Sequence, residues 1–442
     1  MIRRVLMRLR ELGWFFIVLG MALFAARGFG AAADSKGAQD VDWPQFLGPH
    51  RNDVVEGTKL ASQWPAGGPR LVWKIDCGVG FSSPVIANGV LVLMERNGEN
   101  GPEEITRGID PKTGREIWKT SIPCTWHARE YTFGPVSTPV IAKDRVVCLG
   151  IGGKLRCQAL TTGKVFWEKD LVRDIIGNWR NWGFICSPLV VGNRVILAVC
   201  VQAWGKGLVA WELSDGKEAW STPYFQSYGG SPGVMTVAGK PVVVASAEAG
   251  IRGAGNLVGF DAGDGKIVWS ASLPGNSNCN IPTPLFVADL GMVFVGINGD
   301  GPTFGVKLPP SGQGKAEVAW QDPDHVAYFS NYLYYGGLLF GHGYKAHGSP
   351  PKFYCLDPKT GTTLWDQNTK DEQRCLLGSD GKVIELHDNG DLVLSDANAR
   401  GGYRQLSRAK VIDKTWCYPA FCQGKLFIRS NTRLICLDLT GK

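Results

Sequence analysis

The chain has 442 residues, with 47 Lys+Arg against 40 Asp+Glu and a formal net charge of +7. A hydrophobic content of 44% and a charged content of 20% are those of a globular protein and exclude a disordered chain. Five arginines and one acid in residues 1–33 supply +4 of the charge, so the remaining +3 is too small for nucleic-acid binding or an anionic membrane surface. The 58 glycines are about twice the usual share. They follow no Gly-X-Y period, which excludes collagen.

In chain order, residues 1–11 are basic and Trp14 to Ala26 is an apolar run. Ala31 and Ala33 stand at the −3 and −1 positions of a cut before Asp34, which completes the three parts of a signal peptide over residues 1–33. Arg27 interrupts the run short of the roughly 20 residues a membrane span needs. No Cys precedes Cys77, so a lipid-anchored Cys is not expected. The expectation is a periplasmic or secreted protein, with no membrane span after signal cleavage. Residues 34–70 read as an extended leader lying across the domain that follows.

From residue 71 one phrase recurs. It runs Asp110-Pro-Lys-Thr-Gly114-Arg-Glu-Ile-Trp118 and returns with Gly163 and Trp167, Gly216 and Trp220, Gly265 and Trp269, and Gly361 and Trp365. A degraded copy ends at Trp320, and the C-terminus carries only the opening half, to Gly441. Trp73 stands alone with no turn before it. A small residue followed by Pro opens a β-branched run ahead of most copies, as at Ser83-Pro84, Thr138-Pro139 and Ser187-Pro188. Asn88-Gly89 between two such runs is a strong hairpin signal.

Each unit therefore reads as four short antiparallel strands. The Asp-x-x-x-Gly segment turns between the third and fourth, and Trp on the fourth plugs one sheet against the next. Trp spacings of 45 to 53 residues with four strands per unit predict an all-β propeller. The tally is eight blades, at about 78–122, 134–170, 183–222, 229–273, 280–320, 328–367, 372–410 and 415–440. The last takes its outer strand from 71–76, so the N- and C-terminal strands share one blade. The unit at 372–410 lacks its Trp, with Tyr403 as a substitute, and seven blades is the alternative count. Residues 71–442 form the single propeller domain.

Twelve cysteines in an exported chain permit disulfides. Cys148 and Cys157 lie symmetrically about a turn and could face each other; the alternative is that most cysteines are small buried hydrophobes. There is no Cys-x-x-Cys, Gly-x-Ser-x-Gly, His-Glu-x-x-His or Walker loop, and no catalytic residue or metal ligand is assigned. Asn298-Gly-Asp300 and Asp388-Asn-Gly-Asp391 are fragments of a Ca²⁺ loop that read as turns.

Links between blades and between second and third strands share the face around the channel mouth, where long loops carry binding groups. The candidates for ligand contact are Trp126, His127, Arg129 and Tyr131 in one link, Trp179, Arg180 and Trp182 in the next, Asn278 and Asn280 in a third, and Tyr332. Long second-to-third links are expected at 95–108, 246–256 and 344–351. Aromatic faces with Arg, His and Asn suit a flat ligand, a sugar or a peptide. The alternative is that these rings cap the propeller and touch only each other.

The Asp-x-x-Thr-Gly-x-x-x-Trp turn resembles the repeat of the pyrroloquinoline-quinone-like propeller family. That family includes the eight-bladed quinoprotein alcohol dehydrogenases and the propeller lipoprotein of the outer-membrane assembly machinery. The leader from Asp42-Trp43-Pro44-Gln45 through Gly48-Pro49-His50-Arg51-Asn52 resembles the opening of exported propellers of planctomycete-like bacteria. The resemblance implies an eight-bladed fold. The adjacent Cys-Cys pair and Cys-x-x-Cys-His of the dehydrogenases are absent, as is the lipidated Cys of the assembly protein. The expectation is a non-catalytic, monomeric scaffold that engages a protein, peptide or glycan. The alternative is an alcohol or sugar dehydrogenase using pyrroloquinoline quinone with Ca²⁺, a cofactor no motif here supports.

Overall fold

The structure, a computed structural model, describes residues 42–128, 133–173, 183–201, 205–227, 229–251, 255–274, 281–297, 302–344 and 349–441. The expected signal peptide lies outside them. Their strands form eight sheets, each with a core of four antiparallel strands. Blades 1 to 7 span 85–123, 140–170, 189–223, 233–271, 285–322, 333–368 and 374–410. Blade 8 spans 420–438 and takes Arg70–Asp76 as its outer strand. Trp73 pairs there with Cys436, so the strand with no turn before it belongs to the blade with no Trp of its own.

First strands of neighbouring blades touch one another and form the inner ring. The first hairpin of blade 1 turns at Asn88-Gly89, both at positive φ (51° and 76°), as a type I′ turn requires. On every outer strand the register slips by one residue just before the Trp or its equivalent, a bulge repeated through all eight sheets. Bulges at sheet edges discourage pairing with another chain.

The repeat phrase joins one blade to the next. Trp118 of blade 1 packs on Gly163 in the turn of blade 2 and donates Nε1–H to the Leu160 carbonyl at 2.7 Å. Gly163 is at φ 70°, and a Cβ there would lie 2.5 Å from the indole. Its lack of a side chain thus serves both the turn and the neighbour's ring. The same bond runs from Trp73 to Pro111, Trp167 to Leu213, Trp220 to Ala262 and Trp320 to Pro358. Apolar side chains are divided among the interblade spaces, as with Trp118 between blades 1 and 2 and Trp167 between blades 2 and 3.

Two junctions depart from the phrase. Trp269 is fully buried, yet its Nε1 has no acceptor among the described residues. In place of an Asp-x-x-x-Gly turn, blade 5 sends Gly314–Lys315 to pair in parallel with Trp269 and Ser270. Tyr403, expected to replace the missing Trp of blade 7, faces the other way. Its ring packs on Trp365 and Phe353 of blade 6, and its hydroxyl donates to Glu385. Towards blade 8, Leu392, Leu394 and Leu406 of blade 7 and Trp64 of the leader pack in place of an outer-strand Trp.

The possible facing of Cys148 and Cys157 is also corrected. Cys148 lies opposite Arg156 and Cys157 opposite Val147, so the two thiols point to opposite faces of blade 2 and are free. The link expected at 95–108 is only 97–102, because both flanking strands run further. That at 246–256 shortens in the same way, since Lys240–Ile251 is a single strand.

The small-residue-Pro landmark also has a structural cause. The amide of Ser83 donates to the Thr138 hydroxyl, that of Thr138 to Ser187, and that of Ser187 to Ser231. Thr283 donates likewise to the Asn331 side chain. These bonds link blades 1 to 4 in series and blade 5 to blade 6.

The leader enters that channel. The Trp43 backbone bridges Ile86 of blade 1, and the Pro44 carbonyl accepts the Ile141 amide of blade 2. Phe46 packs edge-on against Tyr418 of blade 8. Val54–Val55 adds a parallel strand to the inner edge of blade 7. Gly48 lies under the Trp43 ring, where a Cβ would come within 2.8 Å. Leu47, Arg51 and Asp53 all take positive φ, an uncommon conformation for residues with a side chain. Trp43, Leu47, Arg51 and Asp53 are at most 3% exposed. The leader therefore closes the channel from the face of the Asn88-Gly89 hairpin, opposite the interblade links.

Candidate functional site

With one face closed, the interblade links and second-to-third loops surround the remaining mouth. Six aromatic rings form an arc there. Phe133 meets Phe81 at 4.8 Å, Phe81 meets Trp416 at 6.1 Å and Trp416 meets Phe329 at 5.0 Å. Phe329 then meets Tyr328 at 4.3 Å, and Tyr328 meets Tyr344 at 4.7 Å. All six are half-buried. They come from the links entering blades 1, 2, 6 and 8 and from a loop of blade 6. The strand-opening landmark places them: Phe81 and Trp416 precede Pro84 and Pro419 by three residues, and Phe329 precedes Tyr332, which stands in the Pro position.

Buried polar groups hold these links in place. Arg96, 2% exposed, donates to the carbonyls of Gly101, Glu99, Phe133 and Trp126. Arg429, fully buried, donates to the carbonyls of Met94, Gly78 and Ser82 and so ties blade 8 to blade 1. Between blades 6 and 7, Arg374 bonds Asp371 at 2.6 Å and Glu385 at 2.8 Å, while His387 Nδ1 lies 3.1 Å from Asp371. Burial would raise the Asp371 carboxyl, but His387 and Arg374 hold it well below its usual range. Asp388 is raised, chiefly by burial and also by the nearby Asp371. The Asp388-Asn-Gly-Asp391 segment is a turn, with the Asn389 side chain accepting the Asp391 amide.

Among the sequence candidates, Trp126 is half-buried on the Arg96-held link and His127 beside it is exposed. Tyr332 is corrected: it is 2% exposed in the space between blades 5 and 6. Its hydroxyl bonds Thr303 at 2.7 Å, and burial pushes its pKa up to about 12. Tyr332 is therefore a packing residue. Arg129, Tyr131, Trp179, Arg180, Trp182, Asn278 and Asn280 lie outside the described residues. Sequence reasoning missed Phe81, Phe133, Phe329 and Trp416, although the three-residue spacing of Phe81, Phe329 and Trp416 ahead of the strand openings is a readable signal.

Among the described residues no three His, Cys, Asp or Glu side chains are grouped so as to hold a metal ion. The leader also fills part of the channel.

The fold and its repeat define an eight-bladed propeller of the quinoprotein-like class. Residues 102–367 match the family of outer membrane protein assembly factor BamB, and the chain belongs to that family. It is 27% identical over 227 residues to the BamB of Burkholderia pseudomallei (strain K96243), across 45% of this chain. The match spans 58% of that relative's length. The crystal structure of BamB from Moraxella catarrhalis superposes with a TM-score of 0.58 at 14% identity, covering 84% of this chain and 99% of that one. Quinohemoprotein alcohol dehydrogenase from Comamonas testosteroni superposes at 0.62 with 13% identity, covering 91% and 81%. At such identities the likeness is one of fold alone. No described helix is long and apolar enough to cross a membrane.

Proposed function

We propose that the protein is an exported, non-catalytic scaffold that binds a partner protein or peptide through the face carrying its interblade links. The observation that carries this reading is the aromatic arc from Phe133 to Tyr344, which the described residues place on the face opposite the leader. Aromatic rings held on well-bonded links supply large contact area at small entropic cost, as binding surfaces require. Family membership supports a protein partner, since the relatives are named as assembly factors. The basic, apolar and small-residue run of residues 1–33 and the planctomycete-like leader motif support export to the periplasm or beyond.

The test places a photo-crosslinking amino acid at His127 or Phe329 on the linked face and at Gly89 on the leader face, in the protein expressed in its own host. Partner adducts from the first two positions and not the third support the reading. Adducts confined to Gly89, or a glycan as the only bound species, overturn it.

A further inference from the structure

We infer that the segment of the arc around Trp416 and Phe329 receives an extended partner segment that carries a basic side chain beside an apolar one. This rests on the linked-face reading above and names the chemistry of its partner.

The chain already places a cation of its own over the indole. Lys414 is exposed, and its Nζ lies 5.7 Å from the Trp416 ring centroid, within range of cation–π attraction. Trp416 is half-buried, and its link is tied to the neighbouring loop by the Thr415 amide, which donates to the Asp388 carbonyl. On the other side, Gln373 Nε2 donates to the Phe329 carbonyl. The links that carry the two rings, 5.0 Å apart, are therefore held by one side-chain and one backbone hydrogen bond before any partner arrives.

The charges around them are unequal. Residues 370–374, 385–388 and 413–414 hold five carboxyl groups, on Asp371, Glu372, Glu385, Asp388 and Asp413. Their permanent cations are Lys370, Arg374 and Lys414, with His387 the one titratable base. Arg374 is consumed by Asp371 and Glu385 and is 4% exposed. That leaves Glu372, Asp388 and Asp413 against Lys370 and Lys414, an excess of one acid, with exposed Glu372 beside Asp388, whose carboxylate accepts the Glu372 amide. Asp388 is raised chiefly by burial and further by Asp371 and Glu372, while the Glu372 amide and Lys414 act against the rise. A partner cation that takes the place of Lys414 would meet the indole and these carboxylates together. An acidic segment would meet like charge, which is costly at an interface.

The experiment uses the purified full chain and two dye-labelled peptides, Gly-Arg-Phe-Arg-Leu-Gly and Gly-Glu-Phe-Glu-Leu-Gly, followed by fluorescence anisotropy. The expected result is at least about tenfold tighter binding of the Arg peptide, equivalent to about 1.4 kcal/mol. The preference should shrink as salt is raised. A Glu372→Gln, Asp388→Asn double variant should lose most of it while melting like the parent. Trp416→Leu should weaken both peptides. Equal binding, or a preference for the Glu peptide, overturns the inference. If neither peptide binds while crosslinks form at Phe329, this inference falls and the scaffold reading stands; if crosslinks are absent too, both fall.

Discussion

Trp118 and Gly163 lie in different blades, yet each fits only because of the other: the indole rests where any Cβ on Gly163 would be, 2.5 Å from the ring. Gly163→Ala should therefore cost more than Gly192→Ala. Gly192 also has positive φ (62°) but open space around it. The expected losses are about 1 kcal/mol at Gly192, for strain alone, and about 2–4 kcal/mol at Gly163, for strain and overpacking. Urea unfolding measures both, and equal losses would refute the double role of Gly163.

Trp73→Ala should loosen the seam between blades 8 and 1. It removes the bond to Pro111 and the packing on Phe427. A loss of about 3–5 kcal/mol is expected for a large aromatic ring. Hydrogen exchange should quicken first in Arg70–Asp76 and Arg433–Asp438, before the middle blades. Uniform loss of protection around the ring would contradict a local seam.

Glu104 gives a pH dependence of defined sign. Burial raises its carboxyl from 4.5 to about 7, against the stabilising Ile151 amide bond. The raised value means the folded protein holds a proton that the unfolded chain releases. Its contribution is therefore full below about 4.5 and lost as pH rises through about 7. Glu104→Gln keeps an acceptor for Ile151 and carries no charge. It should melt close to the parent at pH 4.5 and be more stable at pH 8, by on the order of 2–3 kcal/mol. No gap at pH 8 would show that Glu104 is ionised at little cost.

His325 joins blades 5 and 6, with Nδ1 2.7 Å from Asp322 and Nε2 2.9 Å from Asp366. Burial lowers its pKa, but the two carboxylates outweigh that and raise it above 6.5. Its stabilisation is therefore present below pH 6.5 and fades as pH climbs through the raised value. His325→Gln should flatten that part of the stability profile. An unchanged profile would rule the junction out as a titrating contact.

Arg51 tests the leader. Its guanidinium is fully enclosed, and Nη1 reaches the Pro188 carbonyl at 3.2 Å, while Nε and Nη2 have no acceptor among the described residues. Burial lowers its pKa to about 10. An enclosed charge so poorly matched favours an apolar replacement of similar size. Arg51→Met should be neutral or stabilising in thermal melts. A loss above about 1 kcal/mol would mean the cation has a compensating partner.

The blade count and turn chemistry were legible because the Gly-to-Trp spacing records a contact between neighbours. Trp73 without a turn and Gly441 without a Trp marked the shared blade for the same reason. Legibility failed where one residue type serves two roles. Tyr403 and Tyr332 are aromatics near links, but only packing shows that one faces blade 6 and the other is enclosed by Thr303. Loop length also misled at 246–256, where strand pairing runs further than the residue pattern suggests. The path of the leader through the channel depends on long-range backbone bonds that no local pattern encodes.

The pairing of Arg70–Asp76 with Arg433–Asp438 also constrains biogenesis. The earlier strand leaves the ribosome long before its mate exists, so this polypeptide cannot complete its ring while it is being translated. It must wait as an open ring and lock only once the residues near 438 have arrived.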